Sequence, residues 1–417
     1  MKTNSHKKEE FPMSTSLLYH GFGVHGYDYV NSKFNGGAVM FTLRPKAFEL
    51  QCSSCKSSRI IRRGTVERKF RSLPIGRKPV WFSLAVQRVE CLVCGLVRQV
   101  KIGFADPRRS FTKAFERYAL ELSRRMTIQD AARHLGVSWD VVKEIQKRYL
   151  QRRFSRPKLG KLKEIAIDEI SIGKRHRYLT VVLDLKTGAV VFVGDGKGAD
   201  ALDPFWKRLR YAKGKIKAVS IDMSPAYISA ILKNLPDAKI VFDHFHVIKL
   251  FNDKLSELRR QLYHEVNDIL QKQAIKGTRW LLLKNPENLD PNRDEHRRLN
   301  EALELNQPLA TAYYMKEDLR QLWNQSDKHS ADVFLKDWMA RARSSGVRML
   351  IQFANTLAGH KSGLLAYYDY RISTGPLEEG TNNKIKTMQK QAYGFRDMDF
   401  FKLKIMALHQ TKYALIG

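Results

Sequence analysis

Ile165-Ala-Ile-Asp-Glu-Ile170, with the apolar runs Tyr178–Leu185 and Ala189–Val193 behind it, decides the fold of this chain. Each run is short and β-branched, and Lys186-Thr-Gly188 punctuates the second and third, so consecutive strands joined by a hairpin are predicted. Downstream the texture alternates. Asp203–Tyr211 carries Phe205, Trp206 and Leu209 as one helical face, Lys215–Ile221 returns to strand, Pro225–Asn234 is helical and Lys239–Phe242 is a strand. Three strands followed by alternating helices and strands specify a mixed sheet with helices on its faces. Asp168 sits on the first strand and Asp222 caps the run Ile216–Ile221. A carboxylate at a buried strand end is costly unless something cationic answers it, and two on neighbouring strands call for a divalent ion. Adjacent strands lie about 5 Å apart, so Asp168 and Asp222 can share an ion if their strands pair.

From about Val247 to His360 the chain reads as wholly helical. Leu250, Leu255, Leu258 and Leu262 supply one face, Trp280, Trp323 and Trp338 add bulk, and Pro286 and Pro291 mark a break. This is an all-α insertion dividing the sheet domain, which closes with Thr374-Gly-Pro-Leu-Glu-Glu-Gly380 and a helix to about Tyr393. A third acid, Glu379, opens that closing stretch. Glu169 reads as a surface acid at a strand end, with a supporting metal role left open.

Formal net charge is +32, spread unevenly over the 417 residues. Residues 1–160 hold 32 Lys and Arg against 12 Asp and Glu, hence +20, and the rest hold 42 against 30, hence +12. The N-terminal part is the electrostatic footprint for a polyanion, nucleic acid above all. Acids gathered within so basic a chain suggest a metal site facing a phosphate backbone. No run of some 18 apolar residues and no signal peptide is visible, so a cytosolic protein is expected, and its cysteines are not a disulfide framework.

All four cysteines fall into two CxxC pairs, Cys52-Ser-Ser-Cys55 and Cys91-Leu-Val-Cys94. A two-residue gap turns both thiolates of a pair toward one tetrahedral Zn²⁺, and four thiolates leave no open position for catalysis, so the zinc is structural. Val80, Phe82, Leu84 and Val86 alternate as a half-buried strand leading into the second pair, and Arg59, Arg62, Arg63, Arg68, Lys69 and Arg71 decorate the segment before it. Residues 46–105 thus form a zinc-ribbon-like DNA-binding domain. Residues 1–45 stay unassigned, with the histidines of Tyr19-His-Gly-Phe-Gly-Val-His25 expected in a solvated, glycine-rich loop.

Residues 106–158 are the next domain. Phe115, Ala119 and Leu122 recur at helical spacing; Thr127 with Asp130 three residues on is a capping-box-like start, Gly136 marks the sharp turn, and Ser138 caps a second helix with Val141, Val142 and Ile145 inward. This is a helix-turn-helix whose second helix, Ser138 to about Tyr149, enters the major groove, presenting Ser138, Trp139 and Lys143 to DNA. Arg152, Arg153, Arg156 and Lys158 with Pro157 form a basic linker that contacts phosphates.

With these motifs assembled, the chain resembles the ISL-three family of bacterial insertion-sequence transposases over nearly its whole length. The resemblance is carried by the paired CxxC, the helix-turn-helix, Ala166-Ile-Asp-Glu169, Ser220-Ile-Asp-Met-Ser-Pro-Ala-Tyr227, Phe242-Asp-His-Phe-His-Val-Ile-Lys249, Glu379-Gly-Thr-Asn-Asn-Lys-Ile-Lys386 and Ala392-Tyr-Gly-Phe-Arg396. It implies a ribonuclease-H-like core at 159–250 and 361–417, interrupted by the helical insertion at 251–360, and a DDE triad of Asp168, Asp222 and Glu379. It implies cleavage and strand transfer at the terminal inverted repeats of the element, on double-stranded DNA that includes a target, in the bacterial cytoplasm at the nucleoid. Pairing two ends makes a homodimer or higher oligomer the geometric expectation, and a catalytically silent DNA-binding regulator and a general Mg²⁺ nuclease are the alternatives. Hard oxygen ligands favour Mg²⁺, with Mn²⁺ as a substitute. Asp243 and His246 resemble an aspartate–histidine motif of several transposase families and are expected either to support the site or to cap the helix that begins there. Asn382, Asn383, Lys384 and Lys386 are expected on DNA phosphates. Where family members carry a small polar pair before the glutamate, this chain has Thr374-Gly-Pro-Leu-Glu-Glu; the third ligand is left between Glu378 and Glu379, with the spacing to Gly380-Thr-Asn-Asn-Lys384 favouring Glu379.

Overall fold

Alternation along Lys78–Cys91 buries Val80, Phe82, Leu84 and Val86 on one face and makes this strand the spine of the first sheet. The computed structural model describes residues 16–46, 50–173 and 177–409. Its two units, Met1–Arg152 and Arg153–Gly417, are taken in turn. In the first, β1 (Tyr27–Asn35), β2 (Ala38–Pro45), β3 (Ile60–Ile75), β4 (Lys78–Cys91) and β5 (Val97–Gln99) form one sheet in the order β1-β2-β4-β3, with β5 on β4. β3 and β4 are a long antiparallel hairpin, whereas β2 runs parallel to β4.

The solvated loop expected around Tyr19–His25 is instead folded. Helix α1 (Leu17–Phe22) ends at Gly23, whose φ of 66° needs glycine, and Leu18, Phe22 and Val24 are buried with Phe70 and Phe82. Their partners lie some 40 to 60 residues downstream, which local composition does not reveal. His20 and His25 stay exposed, each edge-on to Tyr19.

Three helices follow: α2 (Lys113–Leu122), α3 (Ile128–Leu135) and α4 (Trp139–Phe154). The Thr127 hydroxyl accepts from the Asp130 N–H at 3.1 Å and donates to its carboxylate at 2.6 Å, an acidic variant of the capping box. Gly136 closes α3 at φ 62°, and Ala131, Val142 and Ile145 are buried where the helices cross. α4 runs on through Arg152 and Arg153, which had been assigned to a linker, because Leu150 and Phe154 continue its buried face. Arg71, nearly buried, ties the sheet to the helices: its guanidinium donates to the Leu135 carbonyl at 2.7 Å and lies near the rings of Trp81 and Phe115. A cation at a helix C-terminus meets the unsatisfied carbonyls there.

The second unit is built on β6 (Glu164–Gly173), β7 (Arg177–Asp184), β8 (Ala189–Asp195), β9 (Ala218–Ile221) and β10 (Lys239–Phe242), in the order β10-β9-β6-β7-β8. β6, β7 and β8 are an antiparallel meander, and β9 and β10 join parallel to β6 through α5 (Asp203–Tyr211) and α6 (Pro225–Asn234). Strand alternation separates the two faces. Ile165, Ile167, Val182, Val219 and Ile221 pack against Phe205, Trp206, Tyr227 and Ile231 of α5 and α6. Ala218 and Val241 face the other way, toward Ala366 and Ile372.

Residues 244–370 are helical: α7 (His244–Glu265), α8 (Ile269–Ile275), α9 (Arg279–Leu283), α10 (Glu295–Glu304), α11 (Gln307–Leu319), α12 (Lys328–Ser344), α13 (Arg348–Leu365) and α14 (Tyr367–Tyr370). They share one core with the sheet, running from Phe242 through Phe251 and Leu255 to Trp338 and Phe353. Trp338 is fully buried, but Trp280, expected as core bulk, is 65% exposed on α9, because Leu281 and Leu282 take the inward positions of that short helix. Gly363 lets α13 lie against β10; a Cβ there would fall 2.4 Å from the Phe242 ring. The chain closes with a π-helical turn, Pro376–Asn382, then α15 (Asn383–Gln391) and α16 (Met398–Met406). The single regular helix expected before Tyr393 is therefore widened over its first part.

Candidate active site and metal centre

β6 and β9 are neighbours, and their parallel register pairs Ile165 with Val219 and Ala166 with Ser220. Asp168, still on β6, and Asp222, the first residue past the end of β9, each stand two residues beyond that last pair. Both are half-buried. The Ser224 N–H donates to Asp222 Oδ1 at 3.0 Å and holds the carboxylate at the strand end. Asn382 Nδ2, from the last position of the π-helical turn, donates to Asp168 Oδ2 at 2.7 Å. Asn382 was expected on DNA phosphates, yet it is only 6% exposed and turned inward, while Asn383, Lys384 and Lys386 are exposed.

Glu379 lies on the same turn with its side chain exposed, and its carbonyl accepts from Asn383 Nδ2 at 2.8 Å. The side chain of Glu378 lies outside the described residues. Among the described residues, Asp168, Asp222 and Glu379 do not bring their donor oxygens within one shared ligand radius. The two aspartates fit a divalent cation by chemistry and strand position. The buried Oδ1 of Asn382, with no hydrogen-bond partner, is a further unsatisfied oxygen beside Asp168.

Asp243 is 1% exposed and fully engaged. Its Oδ1 accepts from the Phe245 N–H at 2.8 Å, capping α7, and its Oδ2 accepts from the Thr374 N–H at 2.7 Å. One carboxylate thus fastens the start of the helical region to the segment that leads into Glu379. His246 is half-buried in the first turn of α7.

Glu169, expected as a surface acid, is half-buried on the α6 side of the sheet and bonded to the Tyr227 hydroxyl. Burial pushes its carboxyl above the ordinary range, the Tyr227 hydrogen bond opposes this, and the charges of Asp222 and Asp168 push it further up. Tyr227 also bonds Thr180 Oγ1 at 3.0 Å, directly across from Glu169 in the β6–β7 register. Sequence reading missed this network because its three members come from separate elements.

In the first unit, Cys52, Cys55, Cys91 and Cys94 converge with all four sulfurs within 4.8 Å of one another. Cys52 Sγ lies 3.7 Å from Cys94 Sγ, and Cys55 Sγ 3.4 Å from Cys91 Sγ. A tetrahedron with Zn–S bonds of about 2.3 Å has edges of about 3.8 Å, so the thiol set fits zinc. Each CxxC turns through a left-handed residue just after its second cysteine, Lys56 at φ 61° and Gly95 at φ 65°. The N–H groups of Cys55 and Ser54 aim at Cys52 Sγ and pull its thiol down to about 6, favouring the thiolate that metal binding needs. On α4, Ser138, just before the helix, and Trp139 are exposed, and Lys143 Nζ sits 5.5 Å from the Trp139 ring. Arg152 lies 3.7 Å from Asp106, and Arg153 is exposed. No helix among the described residues is long and apolar enough to cross a membrane.

Residues 165–405 match a family described as transposase, of the DDE type and ISL3 group, and residues 100–150 match the helix-turn-helix domain of transposase family ISL3. The chain is 32% identical over 394 residues to the transposase for insertion sequence element IS1001 of Bordetella parapertussis, covering 93% of this chain and 95% of that protein. It is 26% identical over 390 residues to the transposase for IS1557 of Mycobacterium tuberculosis, covering 87% of this chain and 86% of the relative. Among solved structures, the Drosophila P element transposase strand transfer complex overlaps 73% of this chain and 94% of its own, at 13% identity and a TM-score of 0.38, too slight an overlap to assign a fold.

Proposed function

The chain belongs to the ISL3 family of transposases, and we propose that it binds the terminal inverted repeats of an insertion sequence and catalyses metal-dependent DNA cleavage and strand transfer. The observation that carries this reading is that Asp168 on β6 and Asp222 just past the end of β9 each lie two residues beyond the last paired positions of these adjoining parallel strands, with Asn382 from the Glu379 turn on Asp168. The strand order β10-β9-β6-β7-β8 supports a ribonuclease-H-like core, with residues 244–370 as its helical insertion.

In this reading Asp168, Asp222 and Glu379 hold Mg²⁺, or Mn²⁺ in its place. The metal, when bound, lowers the cost of forming the attacking hydroxide or 3′-oxyanion and of charging the leaving oxygen. Asp168 and Asp222 anchor the cation from the rigid sheet. Asn382 orients Asp168, and Asp243 fixes the approach of the Glu379 segment through Thr374. Lys384 and Lys386, exposed one turn further on, draw the phosphate backbone toward the acids. The helix-turn-helix, through Ser138, Trp139, Lys143, Arg152 and Arg153, reads the repeat, with the β3–β4 hairpin stapled by structural zinc on Cys52, Cys55, Cys91 and Cys94. Pairing two ends calls for a dimer or higher form on DNA.

A second reading, a DNA-binding regulator without catalysis, draws on the exposed position of Glu379 away from a shared ligand radius. Labelled repeat ends incubated with Mg²⁺ and target plasmid separate the two. Strand-transfer product, lost in Asp222→Ala with end binding retained, supports the transposase. Binding without any cleavage supports the regulator. An Asp222→Ala protein that joins ends at the wild-type rate refutes the catalytic assignment.

A further inference from the structure

We propose that Tyr393 is a stacking platform for an unpaired base of the bound DNA, resting on the transposase reading above and adding to it a contact with a locally opened strand. Tyr393 is 99% exposed, yet it is held rather than loose. It stands at φ 51°, in the left-handed region that a bulky residue rarely adopts. Its N–H donates to the Lys390 carbonyl at 3.1 Å, and the next residue, Gly394 at φ 95°, donates to the Gln389 carbonyl at 2.9 Å. Both sides of the turn are anchored. Gln389 Nε2 donates to the Ile172 carbonyl of β6, and Phe395 stacks on Phe401 with centroids 4.5 Å apart and planes 17° apart. The turn caps α15, a job that glycine or asparagine does without strain; an aromatic ring held there wholly in solvent adds nothing to the cap, so the ring is offered to a ligand.

The setting identifies that ligand. No acid occurs between Glu379 and Asp397, while Lys384, Lys386, Lys390 and Arg396 are all exposed, with no ion pair to another described residue. A cationic run interleaved with an aromatic is the pattern that tracks a phosphate backbone and stacks its bases. Tyr393 follows Asn382, the residue on Asp168, by eleven positions, about 16 Å of helical rise. That span places the ring a few nucleotides from the acids, where an end must be opened for its strand to enter a recessed site. Tyr211 is also exposed among basic residues but is the last right-handed residue of α5, the left-handed position of that turn being Lys213, which makes it the internal control.

The test measures full-length protein binding in buffer with neither Mg²⁺ nor chelator, so that catalysis plays no part and the cysteine site keeps its zinc. Its probes are a blunt 30-base-pair duplex and a forked duplex of the same charge with 2-aminopurine in the unpaired arm, about that size being enough for one chain. Tyr393→Ala is expected to weaken forked binding by roughly 5- to 100-fold and abolish 2-aminopurine quenching, leaving blunt binding within about twofold. Tyr393→Phe and Tyr393→Trp keep the preference, and Tyr211→Ala changes neither. The proposal is overturned if Tyr393→Ala binds the fork as wild type does, if both probes weaken equally, or if Tyr393→Phe fails as alanine does. Unaltered fork binding would make the ring a protein contact instead. Wild-type protein that grips the duplex but cannot transfer strands refutes the enzymatic reading and leaves the stacking result standing, whereas wild type that binds neither probe defeats both.

Discussion

Asn382 shows how much of this site depends on one amide. Its Nδ2 donates to Asp168 Oδ2 at 2.7 Å from a nearly buried position, so it fixes the carboxylate's rotation without adding charge. Hydrogen bonds to ionised groups contribute about 1.5–3 kcal/mol. Asn382→Ala should therefore slow cleavage roughly 10- to 100-fold at limiting Mg²⁺, with partial recovery as Mg²⁺ is raised. A metal titration of cleavage that leaves Asn382→Ala at the wild-type rate removes Asn382 from the site. Asp243 makes the contrasting case. Its two oxygens accept from two main-chain N–H groups, so Asp243→Asn must turn an NH₂ toward one of them. A loss of about 1–3 kcal/mol in denaturant unfolding is expected, with cleavage falling in step. Cleavage abolished at unchanged stability would instead give Asp243 a direct chemical role. Neither long-range contact is visible in sequence, because Asn382 and Asp168 are separated by 214 positions, and Asp243 and Thr374 by 131, whereas the capping of α7 by Asp243 is local and legible.

At the level of elements, what could be read ahead was whatever local physics specifies. α5, α6 and β10 keep their expected bounds because capping, period and turn residues all sit within a few positions of one another. The paired CxxC was equally plain, since two thiols at that spacing have one common geometry. α1, β1 and β2 were not readable, because their apolar residues make sense only against Phe70, Val80 and Phe82 far downstream. The π-helical turn at Pro376–Asn382 was not either, since widening a helix by one residue leaves no local mark. Two elements invite measurement. Cys91→Ser should release bound zinc and destabilise the first unit by about 3 kcal/mol or more, given that structural zinc supplies on the order of 10 kcal/mol of binding free energy; metal analysis and thermal unfolding check it, and unchanged unfolding in a zinc-free protein would exclude the staple. Lys316, 1% exposed, ties α11 to α9 by donating to the Leu282 carbonyl at 2.7 Å and pairing with Glu317 at 2.7 Å. Lys316→Met leaves that carbonyl unpaired and should cost about 1–3 kcal/mol near neutral pH. Burial lowers the Lys316 ammonium below its usual range, so the unfolded chain binds the extra proton just beneath pH 10.5. Wild-type stability should then rise with pH in that window, and the methionine variant should lose this rise.

For the whole molecule, charge rather than shape sets the terms of DNA binding. The +20 carried by residues 1–160 exceeds the +12 of the remainder, although the remainder is longer by 97 residues. The acids that the chemistry needs sit in the less basic part. A chain arranged this way should bind any duplex through its N-terminal cations, releasing counterions as it does, and reserve the carboxylates for metal. Each neutralised phosphate contributes about −0.9 to the slope of log K against log salt, and six to ten such contacts lower affinity by about 10³–10⁵ between 50 and 200 mM salt. That range is the expectation for the full chain on a duplex of arbitrary sequence, measured by fluorescence anisotropy. Charge-neutral variants locate the effect: replacing Arg152 and Arg153 with glutamine should make the slope shallower by about two contacts, if both exposed guanidiniums reach phosphate. Arg152 also lies 3.7 Å from Asp106, and an exposed pair of this kind contributes about 0–1 kcal/mol, so its loss should leave stability nearly unchanged. A slope that stays steep in the double variant would move the phosphate contacts to the arginines of β3, Arg62, Arg63 and Arg68, and α4 would then read base edges without gripping the backbone.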